Sequence, residues 1–218
     1  MYLDTANAKS ILDAYQTNVF KGVTTNPTIL HKEGKNRFET LKEIAKLQVG
    51  ELFCQVVGAT CDERWIDYLS IREFSQDEQI PIIVKVPIDD IGLRLIKRIK
   101  EVYPEQRILA TAVYSSEQGI LSAIAGCDYI APYVNRMESH GIDPFKEIAT
   151  IRSFIEQRSL STIIMAASFK QKNQVIKALS SGAHTCTISF EIFQMLSHNQ
   201  LASDAIDVFN MHGNQIKQ

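Results

Sequence analysis

Along the 218-residue chain, eight short apolar runs alternate with longer stretches of helical period, no polar or Pro/Gly-rich linker interrupts them, and no G-x-G-x-x-G follows the first run. Together these observations predict an α/β fold, one (β/α)8 TIM barrel rather than a doubly wound sheet, whose dinucleotide-binding form carries that glycine fingerprint. A segment at 200–218 lies beyond the eighth unit. The expected organisation is therefore one domain over 1–218, with 200–218 a C-terminal helical extension.

The expected strands are "MYLD" (1–4), "VFKGVTTN" (19–26), "LFCQVV" (52–57), "IPIIVKV" (80–86), "ILATAV" (108–113), "YIAPYV" (129–134), "TIIMAAS" (162–168) and "HTCTIS" (184–189). Near-continuous apolar runs of this length suit parallel strands covered on both faces. Between them, Thr60-x-x-Glu63 and Ser115-x-x-Gln118 read as capping boxes, and Gly126 and Gly182 stand where helix C-terminal glycines belong. Ile91, Leu95, Ile99 and Val102 recur with helical period, as do Phe145, Ile148, Ile151 and Ile155, so each set lays one stripe on the sheet. The last segment, "QLASDAIDVFNMH" (200–212), carries Leu201, Ile206 and Phe209. It reads as a helix that must cover its own barrel or a neighbour.

A net charge of -2 supplies no basic field for nucleic acid or an anionic membrane. No apolar run approaches the roughly 20 residues of a membrane span, and "MYLDTANAKS" lacks a signal-peptide core, so a cytoplasmic protein is expected. Cys54, Cys61, Cys127 and Cys186 form no C-x-x-C pair and read as small buried hydrophobes. The five histidines are scattered without ligand spacing, so no metal site is expected.

In such a barrel the active groups belong at the C-terminal ends of the strands. Those ends supply Asp4, Thr24 with Asn26, Gln55, Lys85, Thr111, Tyr133 with Arg136, Ser168 with Lys170, and Ser189. Lys85 stands out, because "IPIIVKVP" (80–87) reads as a strand buried on both faces and a buried ammonium costs several kcal/mol. Either it snorkels out at the strand end, or desolvation lowers its pKa and leaves a neutral amine able to attack a carbonyl. Schiff-base chemistry also needs a proton relay, for which Asp4, Gln55, Thr111 and Tyr133 are candidates. Arg136 and Lys170, with the Ser168 hydroxyl, form a candidate anion clamp suited to a sugar phosphate.

"YLDTA", "GVTTNP" (22–27), "VKVP" (84–87), "TAVYSSEQG" (111–119), "APYVNR" (131–136) and "AASFK" (166–170) occur in order along the chain. Together they resemble the transaldolase family, and more narrowly its small bacterial fructose-6-phosphate aldolase-like branch. The resemblance implies a barrel with its Schiff-base lysine on the fourth strand, at Lys85, and Asp4 beside the carbinolamine hydroxyl. It assigns Thr24 and Asn26 to the donor's hydroxyls, Arg136 and Ser168 to the acceptor phosphate, and no metal or organic cofactor. The aldolase branch is similar to this chain in having Gln and Tyr where Gln55 and Tyr133 stand; transaldolases proper carry Glu and Phe. Lys170 departs from the arginine of classical transaldolases and would grip phosphate as a point charge. The reading implied is a class I aldolase joining dihydroxyacetone and glyceraldehyde 3-phosphate into fructose 6-phosphate. Its alternatives are a transaldolase and, more remotely, a non-catalytic phosphosugar-binding barrel. Family likeness also implies a homo-oligomer, a pentamer or decamer, with the last helix reaching a neighbour.

Overall fold

The computed structural model describes residues 1–216; positions 217 and 218 of the expected C-terminal extension lie outside the described residues. Among the described residues, the strands are β1 (Tyr2–Asp4), β2 (Gly22–Thr24), β3 (Glu51–Gln55), β4 (Ile82–Pro87), β5 (Ile108–Val113), β6 (Tyr129–Pro132), β7 (Ile163–Ala166) and β8 (Thr185–Ile188). They pair in chain order, all parallel, and β8 returns to β1 to close the barrel. The helices between them are α1 (Ala8–Tyr15), α2 (Pro27–Lys32), α3 (Arg37–Ala45), α4 (Cys61–Asp77), α5 (Asp90–Val102), α6 (Ser116–Ile124), α7 (Val134–Ser139), α8 (Pro144–Gln157), α9 (Lys172–Ser180) and α10 (Phe190–Ser197). α11 (Gln200–Ile216) follows as the extension. The fold is the (β/α)8 TIM barrel that the alternation predicts.

Side chains alternate across each strand, and the alternation separates two cores. Tyr2, Phe53, Ile83, Leu109, Tyr129 and Met165 pack together inside the barrel, whereas Leu3, Val23, Leu52, Val84, Ala110 and Ile164 join the helices outside it. The Phe53 ring packs edge-on against Tyr2 and Tyr129, with ring centres 5.5 and 5.4 Å away. Beneath these rings Glu51 accepts hydrogen bonds from Tyr2 (2.6 Å) and Arg107 (2.7 Å), and Arg107 also bonds the Tyr129 hydroxyl. Burial alone would raise the Glu51 pKa, but these donors hold it below the usual carboxylate value. The N-terminal end of the barrel is thus plugged. The open end is at the strand C-termini.

Several local expectations meet their residues. Thr60 and Glu63 form the full capping box of α4, and Gly126 and Gly182 follow α6 and α9 with φ of 84° and 108°. The Ser115 box is only half made. The Ser115 hydroxyl caps the Gln118 N–H, but the Gln118 side chain accepts from Tyr114 N–H (2.8 Å) and donates to the Ile88 carbonyl (3.1 Å). Gln118 thereby ties the loop after β5 to the loop after β4. In α5 the buried stripe is Gly92, Leu95, Ile96 and Ile99, and Val102 in the last turn is 52% exposed. A Cβ on Gly92 would lie 2.1 Å from the Pro87 carbonyl oxygen, so the first turn of α5 is pressed onto the end of β4 and phases the helix. Cys54, Cys127 and Cys186 are buried, but Cys61 opens α4 and is only partly covered. No residue of α11 is buried. No helix is long and apolar enough to cross a membrane, among the described residues.

Candidate active site

Every candidate residue named from the strand ends lines one cavity of about 1060 Å³ at the C-terminal mouth. Two parallel neighbours, Gln55 and Lys85, stand in register, so both present side chains to the barrel interior. Lys85 does not snorkel: it is 4% exposed, and its Nζ donates a 2.7 Å hydrogen bond to the Thr25 carbonyl. Desolvation lowers its pKa, and the nearby Asp4 carboxylate opposes that fall. The apolar strand is the cause, because an ammonium without bulk water favours losing its proton.

Asp4 ends β1 opposite Thr24 in β2, whose hydroxyl donates to Asp4 Oδ1 at 2.7 Å. Burial raises the Asp4 pKa, while Lys85 and the Thr24 hydrogen bond hold it back. Across the mouth, the Tyr133 hydroxyl lies 2.9 Å from Thr111 Oγ1. Burial pushes the Tyr133 phenol up as well; Thr111 and Arg136 oppose this, and Asp4 adds to it. The cavity floor therefore gathers a lysine biased towards the free amine and two groups biased towards the protonated acid. That set can attack a carbonyl, shed water and move a proton.

Among the described residues, four of the six non-glycine residues at positive φ follow helix ends, and the other two, Ala112 and Ser168, line the mouth. A bulge in β5 breaks its register with β6 between Ala110 and Val113, with Ala112 at φ 59°. Ser168, beyond β7, has φ 62°. Non-glycine residues rarely adopt this region, and such strain clusters at functional sites. Asn26 begins α2 by accepting from Ile29 N–H at 3.0 Å, which leaves its amide NH2 as the free donor. Ser189 caps α10 in the same way.

On the anion side, Arg136 donates to the Tyr114 hydroxyl (3.2 Å) and its guanidinium sits 5.4 Å from the centre of the Tyr133 ring. Gln174, which is buried, accepts from Lys170 N–H (2.8 Å) and Gln171 N–H (3.1 Å) and donates to Asn135 (3.2 Å) and Glu138. It locks the Ser168–Lys170 loop against α7, which carries Arg136. Sequence reasoning missed Thr25, Tyr114, Gln174 and Thr187. Period-two counting back from Ser189 would have pointed to Thr187, but Thr25 acts through its carbonyl and leaves no side-chain signal. Among the described residues, no three or more His, Cys, Asp and Glu side chains gather to hold a metal.

The chain was compared with known proteins. The model of the family described as Transaldolase/Fructose-6-phosphate aldolase matches residues 1–218. A protein of Streptococcus pneumoniae named probable fructose-6-phosphate aldolase is 36% identical over 211 residues, covering 95% of this chain and 93% of its own length. One of Shouchella clausii named probable transaldolase is 31% identical over 208 residues, covering 95% and 94%. A probable transaldolase of Streptococcus equi subsp. zooepidemicus is 29% identical with the same coverage. Matching both in its whole length and in the motifs that meet at one cavity, the chain belongs to the transaldolase/fructose-6-phosphate aldolase family.

Proposed function

We propose that the protein is a metal-independent class I aldolase that cleaves or forms fructose 6-phosphate through a Schiff base on Lys85. The observation that carries the reading is the buried amine of Lys85, held by the Thr25 carbonyl at the floor of the cavity. In this mechanism the neutral amine attacks the C2 ketone, and Asp4, whose pKa burial raises, gives a proton to the carbinolamine hydroxyl as water leaves. A water held by Gln55, Thr111 and Tyr133 takes the proton of the C4 hydroxyl. The C3–C4 bond breaks, glyceraldehyde 3-phosphate departs, and its electron pair remains as a three-carbon enamine. Protonation at C3 and hydrolysis then free dihydroxyacetone and Lys85. Thr24 and Asn26 face the donor hydroxyls, and Arg136, Ser168 and Lys170 face the phosphate, all from the same cavity.

The Tyr133–Thr111 hydrogen bond supports cleavage over transfer, because a phenol beside the enamine can protonate it and end the cycle. The second reading, transfer of the dihydroxyacetone unit to another aldose phosphate, draws on the relatives named probable transaldolase. We place the reaction in the cytoplasm and the barrel in a homo-oligomer, in which α11, with no buried residue, covers a neighbouring copy. The deciding assay follows free dihydroxyacetone from fructose 6-phosphate, with and without erythrose 4-phosphate, in wild type and Tyr133→Phe, with EDTA present. Release without acceptor is expected in wild type. Tyr133→Phe should lower release by about 10²- to 10⁴-fold and transfer far less. Faster transfer than release in wild type would favour the transaldolase instead.

A further inference from the structure

Thr187 in β8 has no part in the mechanism above, yet it is 4% exposed, lines the cavity, and its Oγ1 lies 2.6 Å from Thr24 Oγ1. Thr24 Oγ1 in turn lies 2.7 Å from Asp4 Oδ1. These three polar groups come from β8, β2 and β1, and they meet inside the barrel across the seam where β8 pairs with β1. A hydroxyl has one proton, and an ionised carboxylate only accepts. With Asp4 ionised, the Thr24 proton must point to Asp4, so the Thr187 proton must point to Thr24. Both hydroxyl dipoles then line up on the carboxylate, and each strengthens the other. When Asp4 is protonated the chain reverses: Asp4 donates to Thr24, Thr24 to Thr187, and the Thr187 proton turns to the cavity. Each hydroxyl keeps one proton throughout, and only the proton on Asp4 is gained or given.

Building on the aldolase reading, we propose that Thr187 is a positioning residue whose hydroxyl sets the direction of the Thr24 hydrogen bond and so fits Asp4 to hold and release its proton. The other groups that face Asp4 are Lys85 from β4, which favours its charged form, and Tyr133 at the start of α7, whose pKa responds to the Asp4 charge. Losing the Thr187 hydroxyl costs more with Asp4 ionised, where its donation feeds a hydrogen bond to a full charge, than with Asp4 protonated, where it only accepts from Thr24. The acid limb of the rate profile, which belongs to the Asp4–Lys85 pair, therefore moves to higher pH.

The test measures kcat and kcat/KM for fructose 6-phosphate cleavage against pH in wild type, Thr187→Val and Thr187→Ser. Thr187→Val should lower kcat by about tenfold and raise the acid limb by about half to one pH unit, the scale of one hydrogen bond. Thr187→Ser keeps the hydroxyl and should restore both. Thr187→Ala takes the place of Thr187→Val if the valine variant does not fold. An unshifted acid limb in a folded variant, or a shift that serine does not restore, overturns the proposal. Borohydride trapping on wild type separates this from the aldolase reading, which fails if Lys85 is not modified, whatever Thr187 does.

Discussion

Replacing Lys85 by Met should abolish the reaction and make the protein more stable. The side chain is 4% exposed, and burying an ammonium carries an effective penalty of roughly 4 kcal/mol. The charged hydrogen bond to the Thr25 carbonyl returns about 1.5–3 kcal/mol of this, and the substitution forfeits it. Methionine fills a similar volume and adds about 1 kcal/mol of apolar burial. Desolvation therefore wins, with a net gain of about 2–3.5 kcal/mol, or about 4–14 °C in Tm for a chain of this size. The gain also has a pH signature. Because the folded-state pKa of Lys85 lies below its unfolded value, its penalty is full at low pH and fades as pH rises through the unfolded value of 10.5, above which the amine is neutral in both states. Losing Lys85 also removes the charge that restrains the raised pKa of Asp4. That second effect costs the variant stability only above the folded pKa of Asp4, where the carboxylate is ionised. Both effects make the advantage of Lys85→Met shrink with rising pH. Urea unfolding at about pH 6 and pH 9 measures it. A variant no more stable than wild type at the lower pH, or an advantage that grows with pH, would refute this reasoning.

Gly92→Ala should destabilise the fold by about 2–4 kcal/mol and lower kcat, because the new Cβ meets the Pro87 carbonyl at 2.1 Å and displaces the end of the strand that carries Lys85. Urea midpoints and steady-state rates check this together. Gln174→Ala removes the bonds that lock the Lys170 loop to α7, so KM for a phosphorylated acceptor should rise about tenfold while turnover of an unphosphorylated aldehyde changes little. Deleting 199–218 removes α11, on which Phe209 is 69% and Ile206 53% exposed, and light scattering should then report a smaller species. An unchanged mass would mean that the helix does not hold copies together.

The barrel was legible because its signals are local. The run 108–113 is β5 to the residue, and the Thr60 capping box starts α4 where its side chains demand. The run 19–26 shrank to Gly22–Thr24, and at its C-terminal end the cause is local, since Asn26 turns to cap α2. The short helices α2 and α7, each six residues long and additional to the one helix per strand that the alternation calls for, were not foreseen, because so few residues show no helical period. The same division holds at the site. Lys85 and its partners were visible as polar ends on apolar strands, a pattern that the barrel converts into one cavity. Thr187, Tyr114 and Gln174 act on other residues across the seam and between loops, and only the closed sheet brings those contacts together.

The central claim is that burial makes Lys85 a nucleophile. Sodium borohydride added with dihydroxyacetone reduces any imine to a stable secondary amine, which peptide mass spectrometry can place. The account predicts one reduced adduct, on Lys85, absent from Lys85→Met; an adduct on another lysine, or none in an active preparation, would contradict it.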